Sequence, residues 1–265
     1  IENFFIPSNV EEIEDEWCSG AEKLKTVTVS PLNKNFKYLD DNKQIIVGKS
    51  DRSKEVFDTI IFASRDIKQV TIPNYIKYIK PSAFEYCRSL SNFEFQNDSK
   101  IRYIYSSIFY NSSIESFFIP PSVEYIHDYW STGAAKLKTV TVSPLNKNYK
   151  YLDDNEQIIV GKSDKNKEVF DTIIFANRDI KQVTIPNFIK YIKPYAFENC
   201  KLHVFEISDD SKLESFNNNL FTYSSIESLF IPASVKKIED RWCFDTPKWF
   251  RVTISPLNKN YKYLD

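Results

Sequence analysis

The sequence predicts a mainly-β chain wound as a right-handed solenoid with hairpin inserts. Three observations predict it. Residues 1–40, from IENFFIPSNVEEIEDEW to SPLNKNFKYLD, return at 114–153 and again at 226–265. A short apolar signature, L/I-x-x-V/F-x-I/V/F, opens smaller units inside these long repeats. The last two apolar residues of the signature flank a polar one, the period of a strand with one buried face.

The long repeats define super-repeats 1–113, 114–225 and a partial 226–265, at offsets of 113 and then 112 residues. The smaller units start at Ile1, Leu24, Ile67, Leu90, Ile114, Leu137, Ile180, Leu202, Ile226 and Trp249. Most are 22–24 residues long and two are 43. The shorter length lies in the window of leucine-rich repeats. One such coil cannot bury its apolar residues alone, and stacking buries them. The expected architecture is therefore a single leucine-rich-repeat solenoid over 1–265, a horseshoe or superhelix of nine coils and a stub. The chain begins at Ile1 and has no methionine, which points to a piece of a longer protein.

The elements of one coil follow from IKQVTIP at 67–73. Ile67, Val70 and Ile72 point inward, and Lys68, Gln69 and Thr71 point out. Pro73 ends the strand because it has no N–H for the next ladder bond. Ile76 and Ile79 carry the chain back across the core, and Phe84 plugs the layer. In the 43-residue coil, FKYLDDNKQIIVGKS reads as strand, turn, strand, and VFDTIIF as a further strand. Phe62 and Ile67 are too close for a whole coil between them, so DTIIF belongs to the back of its coil. SPLNKN is a loop by composition. Residues 24–79 and 137–192 differ at six positions only, while the stretches that follow diverge far more. Recent duplication accounts for that pattern, and a functional surface on the insert is the other reading.

IKQVTIPNYIKYIKPSAFEYC at 67–87 and IKQVTIPNFIKYIKPYAFENC at 180–200 carry the pattern IPxxVxxI…AFxxC. This resembles the BspA-like (Treponema-type) leucine-rich-repeat family, and the Asn/Phe/Tyr/Lys/Ile-rich flavour is similar to its trichomonad surface proteins. Two features depart from the family pattern. Its usual Gly after the second Ile is Lys80, Lys193, Glu14, His127 or Glu239 here, and the units with Trp17, Trp130 and Trp242 run one residue short before the aromatic. The resemblance implies a non-enzymatic adhesion module on a cell surface or secreted. Its partners would be protein or glycan ligands on host matrix or cells. A cytoplasmic scaffolding array is the alternative.

Composition narrows the function classes. Lys plus Arg is 35 and Asp plus Glu is 36, a net charge of −1, so nothing draws the chain to nucleic acid or an anionic membrane. No apolar run approaches the roughly 18 residues that span a bilayer. Four glycines leave no phosphate loop, and two histidines leave little for metal or acid–base chemistry. Asp40–Asp41 and Asp153–Asp154 sit in hairpin turns and point apart, unlike the facing carboxylates of a glycosidase. His127 and His203 have no ligand cluster, and His127 reads as surface filler. Cys18, Cys87, Cys200 and Cys243 read as free, small, buried thiols, since Cys18 and Cys87 lie two coils apart. No catalytic, metal or cofactor-binding residue is expected. Asn97 and Asn111 match the glycosylation sequon.

The front strands are the most informative surface. Their outward residues include Glu2 beside Lys25 and Glu115 beside Lys138, pairs that help fix register. Phe5, Phe118 and Phe230 also point outward, one ring per super-repeat, and are the expected binding residues. They recur every four coils, which at about 4.8 Å per strand places them roughly 20 Å apart.

Overall fold

The computed structural model describes residues 1–248 and 251–263. The unit start expected at Trp249 lies outside them. Among the described residues there is no helix, and short strands stack as the coils of a β-solenoid. The chain forms two compact units that divide between Leu137 and Lys138. The first has front strands Asn3–Ile6, Thr26–Val29, Gln69–Ile72, Asn92–Phe95 and Ser116–Ile119. The second has Thr139–Val142, Gln182–Ile185, Val204–Ile207, Ser228–Ile231 and Arg251–Ile254. Back strands such as Tyr78–Ile79 and Tyr191–Ile192 close each coil behind them.

The alternation read from IKQVTIP is present. Ile67, Val70 and Ile72 are buried, Lys68, Gln69 and Thr71 are exposed, and Ile76, Ile79 and Phe84 fill the layer behind. Phe4 departs from it. Its position is inward by repeat, yet it is 42% exposed and rests on Trp17 with ring centroids 5.3 Å apart.

A repeated turn organises the AFxxC segment. Two residues four apart adopt left-handed backbone in each plain coil: Glu16 and Gly20, Ser82 and Tyr86, Ser107 and Asn111, and Tyr129 and Gly133 in the first unit. Tyr195 and Asn199, Asn219 and Tyr223, and Arg241 and Asp245 do so in the second. The pair aligns the coils and explains the short Trp units. Where one coil places Ala83 and then Phe84 inside the turn, others place Trp17–Cys18, Trp130–Ser131 or Trp242–Cys243. Small-then-large has become large-then-small in the same slot. The residue after the pair is Ala, Cys or Ser in six coils, at Ala21, Cys87, Ser112, Ala134, Cys200 and Ser224, and Thr246 in the seventh. Coil geometry is thus the same with or without the Trp.

The inserts form antiparallel hairpins. Phe36–Tyr38 pairs with Ile45–Gly48, which pairs with Thr59–Ala63, and the last strand runs parallel to the back strand Tyr78–Ile79. The second copy, from Tyr149–Tyr151 to Thr172–Ala176, has the same pairing. DTIIF therefore lies at the back, as expected. Gly48 is required at its position, since a Cβ there would come within 2.9 Å of the Phe36 ring.

The front sheet is not continuous, which corrects the even spacing expected of it. Thr26–Val29 and Gln69–Ile72, on either side of the first insert, share no ladder, and neither do Thr139–Val142 and Gln182–Ile185; the ladder also stops without an insert between Asn92–Phe95 and Ser116–Ile119 and between Val204–Ile207 and Ser228–Ile231. The insert caps the upstream strand instead. The Tyr38 hydroxyl donates to Val27 O and accepts from Val29 N–H, both at 3.3 Å, and Ser64 Oγ donates to Lys25 O at 2.8 Å. In the second unit Val142 N–H donates to the Tyr151 hydroxyl at 3.3 Å and Val140 N–H to Asn177 Oδ1 at 3.2 Å.

Candidate binding surface

The front strands place the outward rings as expected. Phe5 is 55% exposed and Phe118 41%, and Phe230 is half-buried. Phe5 and Phe118 belong to the first unit and Phe230 to the second. Glu2 meets Lys25 at 3.8 Å, and His203 Nδ1 lies 3.4 Å from Glu227 across neighbouring strands. Such exposed pairs set register and add little stability.

The breaks in the sheet make a feature that reading the sequence missed. In the first unit a groove of about 900 Å³ opens between the hairpin tip and the strand after it. Asp40, Asn42 and Gln44 form its wall, and Gln69, Thr71 and Glu94 its floor. In the second unit Asp153, Asn155 and Gln157 face Gln182, Thr184 and Glu206 across a groove of about 490 Å³. Asn92 donates to Glu94 Oε1 at 3.1 Å, and Thr184 to Glu206 Oε2 at 2.7 Å, so each carboxylate is oriented on the floor. The next front strand carries Phe118 in the first unit and Phe230 in the second, at the repeat position of these glutamates. The signal was available: a 43-residue coil has to displace something, and Asp-Asp-Asn tips projecting beside a strand are what it projects.

The hairpin tyrosines are structural, since the hydroxyls of Tyr38 and Tyr151 serve as strand caps. The SPLNKN loop is also built. Asn33 Nδ2 donates to Pro7 O at 2.6 Å and Val10 O at 3.0 Å, while its Oδ1 accepts from the N–H groups of Asn35 and Phe36. His127 is not filler. It stacks on Tyr105 with centroids 4.7 Å apart and meets the edge of Tyr125, within a back-face run that includes Tyr78 and Tyr103.

The four cysteines are free thiols, and Cys18, Cys87 and Cys200 are buried. Burial pushes the Cys87 thiol up to about 12, against the opposing pull of Arg65, and raises Cys18, Cys200 and Cys243 as well. Such thiols are poor nucleophiles and poor metal ligands. Two buried arginines were also missed. The insert coil has no AFxxC turn, and Arg65 fills its place: Nη1 donates to Ala83 O and Nη2 to Cys18 Sγ, both at 3.3 Å. Arg178 does the same in the second unit, donating to Ala196 O at 3.2 Å beside Glu198 at 4.0 Å. Among the described residues no group of His, Cys, Asp and Glu is arranged to hold a metal ion, and no helix is long and apolar enough to cross a membrane.

Comparison with known proteins settles the family. Residues 56–155 and 168–263 match the BspA type leucine-rich-repeat region in six copies. The chain belongs to the BspA-type leucine-rich-repeat family. Among solved structures it is similar to the pneumococcal vaccine antigen PcpA, with a TM-score of 0.62 at 18% identity over 96% of this chain. The chain spans 62% of that antigen's length. A leucine-rich-repeat protein from Eubacterium ventriosum gives 0.56 at 16% identity, covering 95% of this chain and 78% of that one. A leucine rich cell surface protein from Faecalibacterium prausnitzii gives 0.53 at 17% identity, covering 96% and 79%. At these identities the likeness is one of fold. No curated protein matches the chain significantly.

Proposed function

We propose that this chain is a non-enzymatic binding module of a cell-surface adhesin, holding protein or glycan ligands of a host matrix or neighbouring cell on its front strands. The observation that carries the reading is the outward ring of each super-repeat, Phe5, Phe118 and Phe230, set among polar neighbours on the front face. Large rings on an otherwise polar surface are natural anchors for a partner. A repeat array offers several weak anchors at once, and linking them raises apparent affinity by about 10²–10⁴. The near-balance of charge makes such contacts less salt-dependent than those of a polybasic adhesin. The surface-associated proteins that share the fold support the location.

The test uses beads coated with the chain, settled on an epithelial monolayer or on immobilised matrix extract. Single Phe→Ala changes at the three positions should weaken adhesion modestly, and the triple change disproportionately. Parent beads that adhere no better than albumin-coated beads refute the adhesin reading. A folded triple variant that adheres like the parent refutes the role of the rings.

A further inference from the structure

We propose that each of the two grooves takes an extended, basic peptide segment of a partner as an added β-strand, which names a partner class for the binding role above and rests on it. The argument starts from the strand edge. In a parallel ladder alternate residues turn their backbone groups to the same side. Lys68 O accepts from Ser91 N–H at 2.9 Å, and Ile72 O from Gln96 N–H at 2.9 Å, so Lys68, Val70 and Ile72 serve the following strand. Gln69 and Thr71 therefore turn their N–H and C=O groups the other way, toward the groove. No strand pairs with them there, and the insert stands between this edge and Thr26–Val29, which it caps with Tyr38 and Ser64. Gln182 and Thr184 stand in the same relation to the second groove.

An open edge of this kind is a template for another chain. Its donors repeat every second residue, about 6.6 Å along the strand, which is the repeat of an extended peptide's carbonyls. The hairpin tip walls the groove on the far side, so a single extended segment enters where a second sheet does not. Charge selects the segment. Asp40, Asp66 and Glu94 line the first groove with Lys68 as the one cation, and Asp153 and Glu206 line the second. A Lys- or Arg-bearing strand complements both. The alternating backbone donors favour a peptide over a saccharide, whose hydroxyls follow no such repeat.

The experiment pans the purified chain against a phage-displayed library of random octapeptides and follows amide hydrogen exchange. The expected result is enrichment of basic, proline-poor peptides whose synthetic forms slow exchange at Gln69, Thr71, Gln182 and Thr184. N-methylation at alternate residues should weaken them about tenfold or more, the loss expected when strand hydrogen bonds are removed. The double variant Glu94→Lys/Glu206→Lys should shift enrichment toward acidic peptides. No enrichment, enriched peptides that leave the four amides unprotected, or N-methylated peptides that bind as well each overturn the proposal. A saccharide microarray that yields amide-protecting glycans where no peptide protects overturns it in favour of glycans. Bead adhesion without amide protection sinks the groove alone, and peptide binding without bead adhesion sinks the adhesin reading alone.

Discussion

Replacing Trp130 by Ala tests the packing logic of the coils. The indole is 2% exposed and meets Phe117 with centroids 5.6 Å apart. A buried aromatic of this size removes about 200 Å² from water, worth about 5 kcal/mol at 25 cal/mol per Å². Truncation to Ala should therefore cost about 3–5 kcal/mol, within the range of large-to-small core changes. With a urea slope of about 2 kcal/mol per M, the midpoint moves down by about 2 M. The informative partner is Trp130→Ala/Ser131→Phe, which writes the Ala83–Phe84 arrangement into the same turn. Because Tyr129 and Gly133 hold the same left-handed pair as Ser82 and Tyr86, the new ring enters an equivalent slot. The double variant should lose less than about 1.5 kcal/mol, as volume-conserving swaps do. Urea unfolding followed by far-ultraviolet circular dichroism measures both. A double variant no more stable than Trp130→Ala would refute the equivalence of the two turn types.

Three further outcomes follow from burial and charge. Ile72→Ala should cost about 2–5 kcal/mol and Thr71→Ala under about 0.5, since one side chain is fully buried and the other exposed; equal effects in urea unfolding would sink the inward and outward assignment. Alkylation at pH 8 should label Cys18, Cys87 and Cys200 only after denaturation and without reductant, and a bridged pair found by mass spectrometry would contradict their packing. Burial pushes the Asp58 carboxyl up, but Lys77 at 3.0 Å and two bonds from Ser50, each at 3.0 Å, outweigh it and hold its pKa below the usual value. Its contribution is then full above about pH 4 and fades as pH falls through the depressed value, so Asp58→Ala should lower the melting temperature at pH 7 and flatten its fall below pH 4.

What was legible in the sequence is what repeats. The signature marked the front strands because apolar residues recur at the inward positions of each copy, and DTIIF could be placed at the back by chain length alone. What was not legible depends on breaks in the repeat. Arg65 and Arg178 look like surface residues in S-R-D and N-R-D, but the missing AFxxC turn leaves a space that only a long side chain reaches. Nothing in FKYLDDN marks Tyr38 as a cap, yet its hydroxyl bonds Val27 O and Val29 N–H where a neighbouring strand's backbone would. The grooves escaped for the same reason, since a pattern that assumes an even 4.8 Å ladder hides the place where the ladder stops.

The two grooves should not be equal, and their difference tests whether charge selects the ligand. Their insert copies are nearly identical, but the tip residue with left-handed backbone is Lys43 in the first and Glu156 in the second. The second tip is therefore more negative by two charges, and both residues are exposed. Exposed pairs contribute about 0.2–1 kcal/mol each, so a basic peptide should favour the second groove about two- to fivefold at low salt. The preference should shrink as salt screens the tips. Val204 replaces Asn92 on the floor, and this change carries no charge and no salt dependence. In a peptide titration, Gln182 and Thr184 should reach half-protection at lower concentration than Gln69 and Thr71. Lys43→Glu should bring the two curves together. If the first groove fills first, or Lys43→Glu leaves the order unchanged, the acidic walls are not what selects the segment, and the open strand edge would be acting without regard to charge.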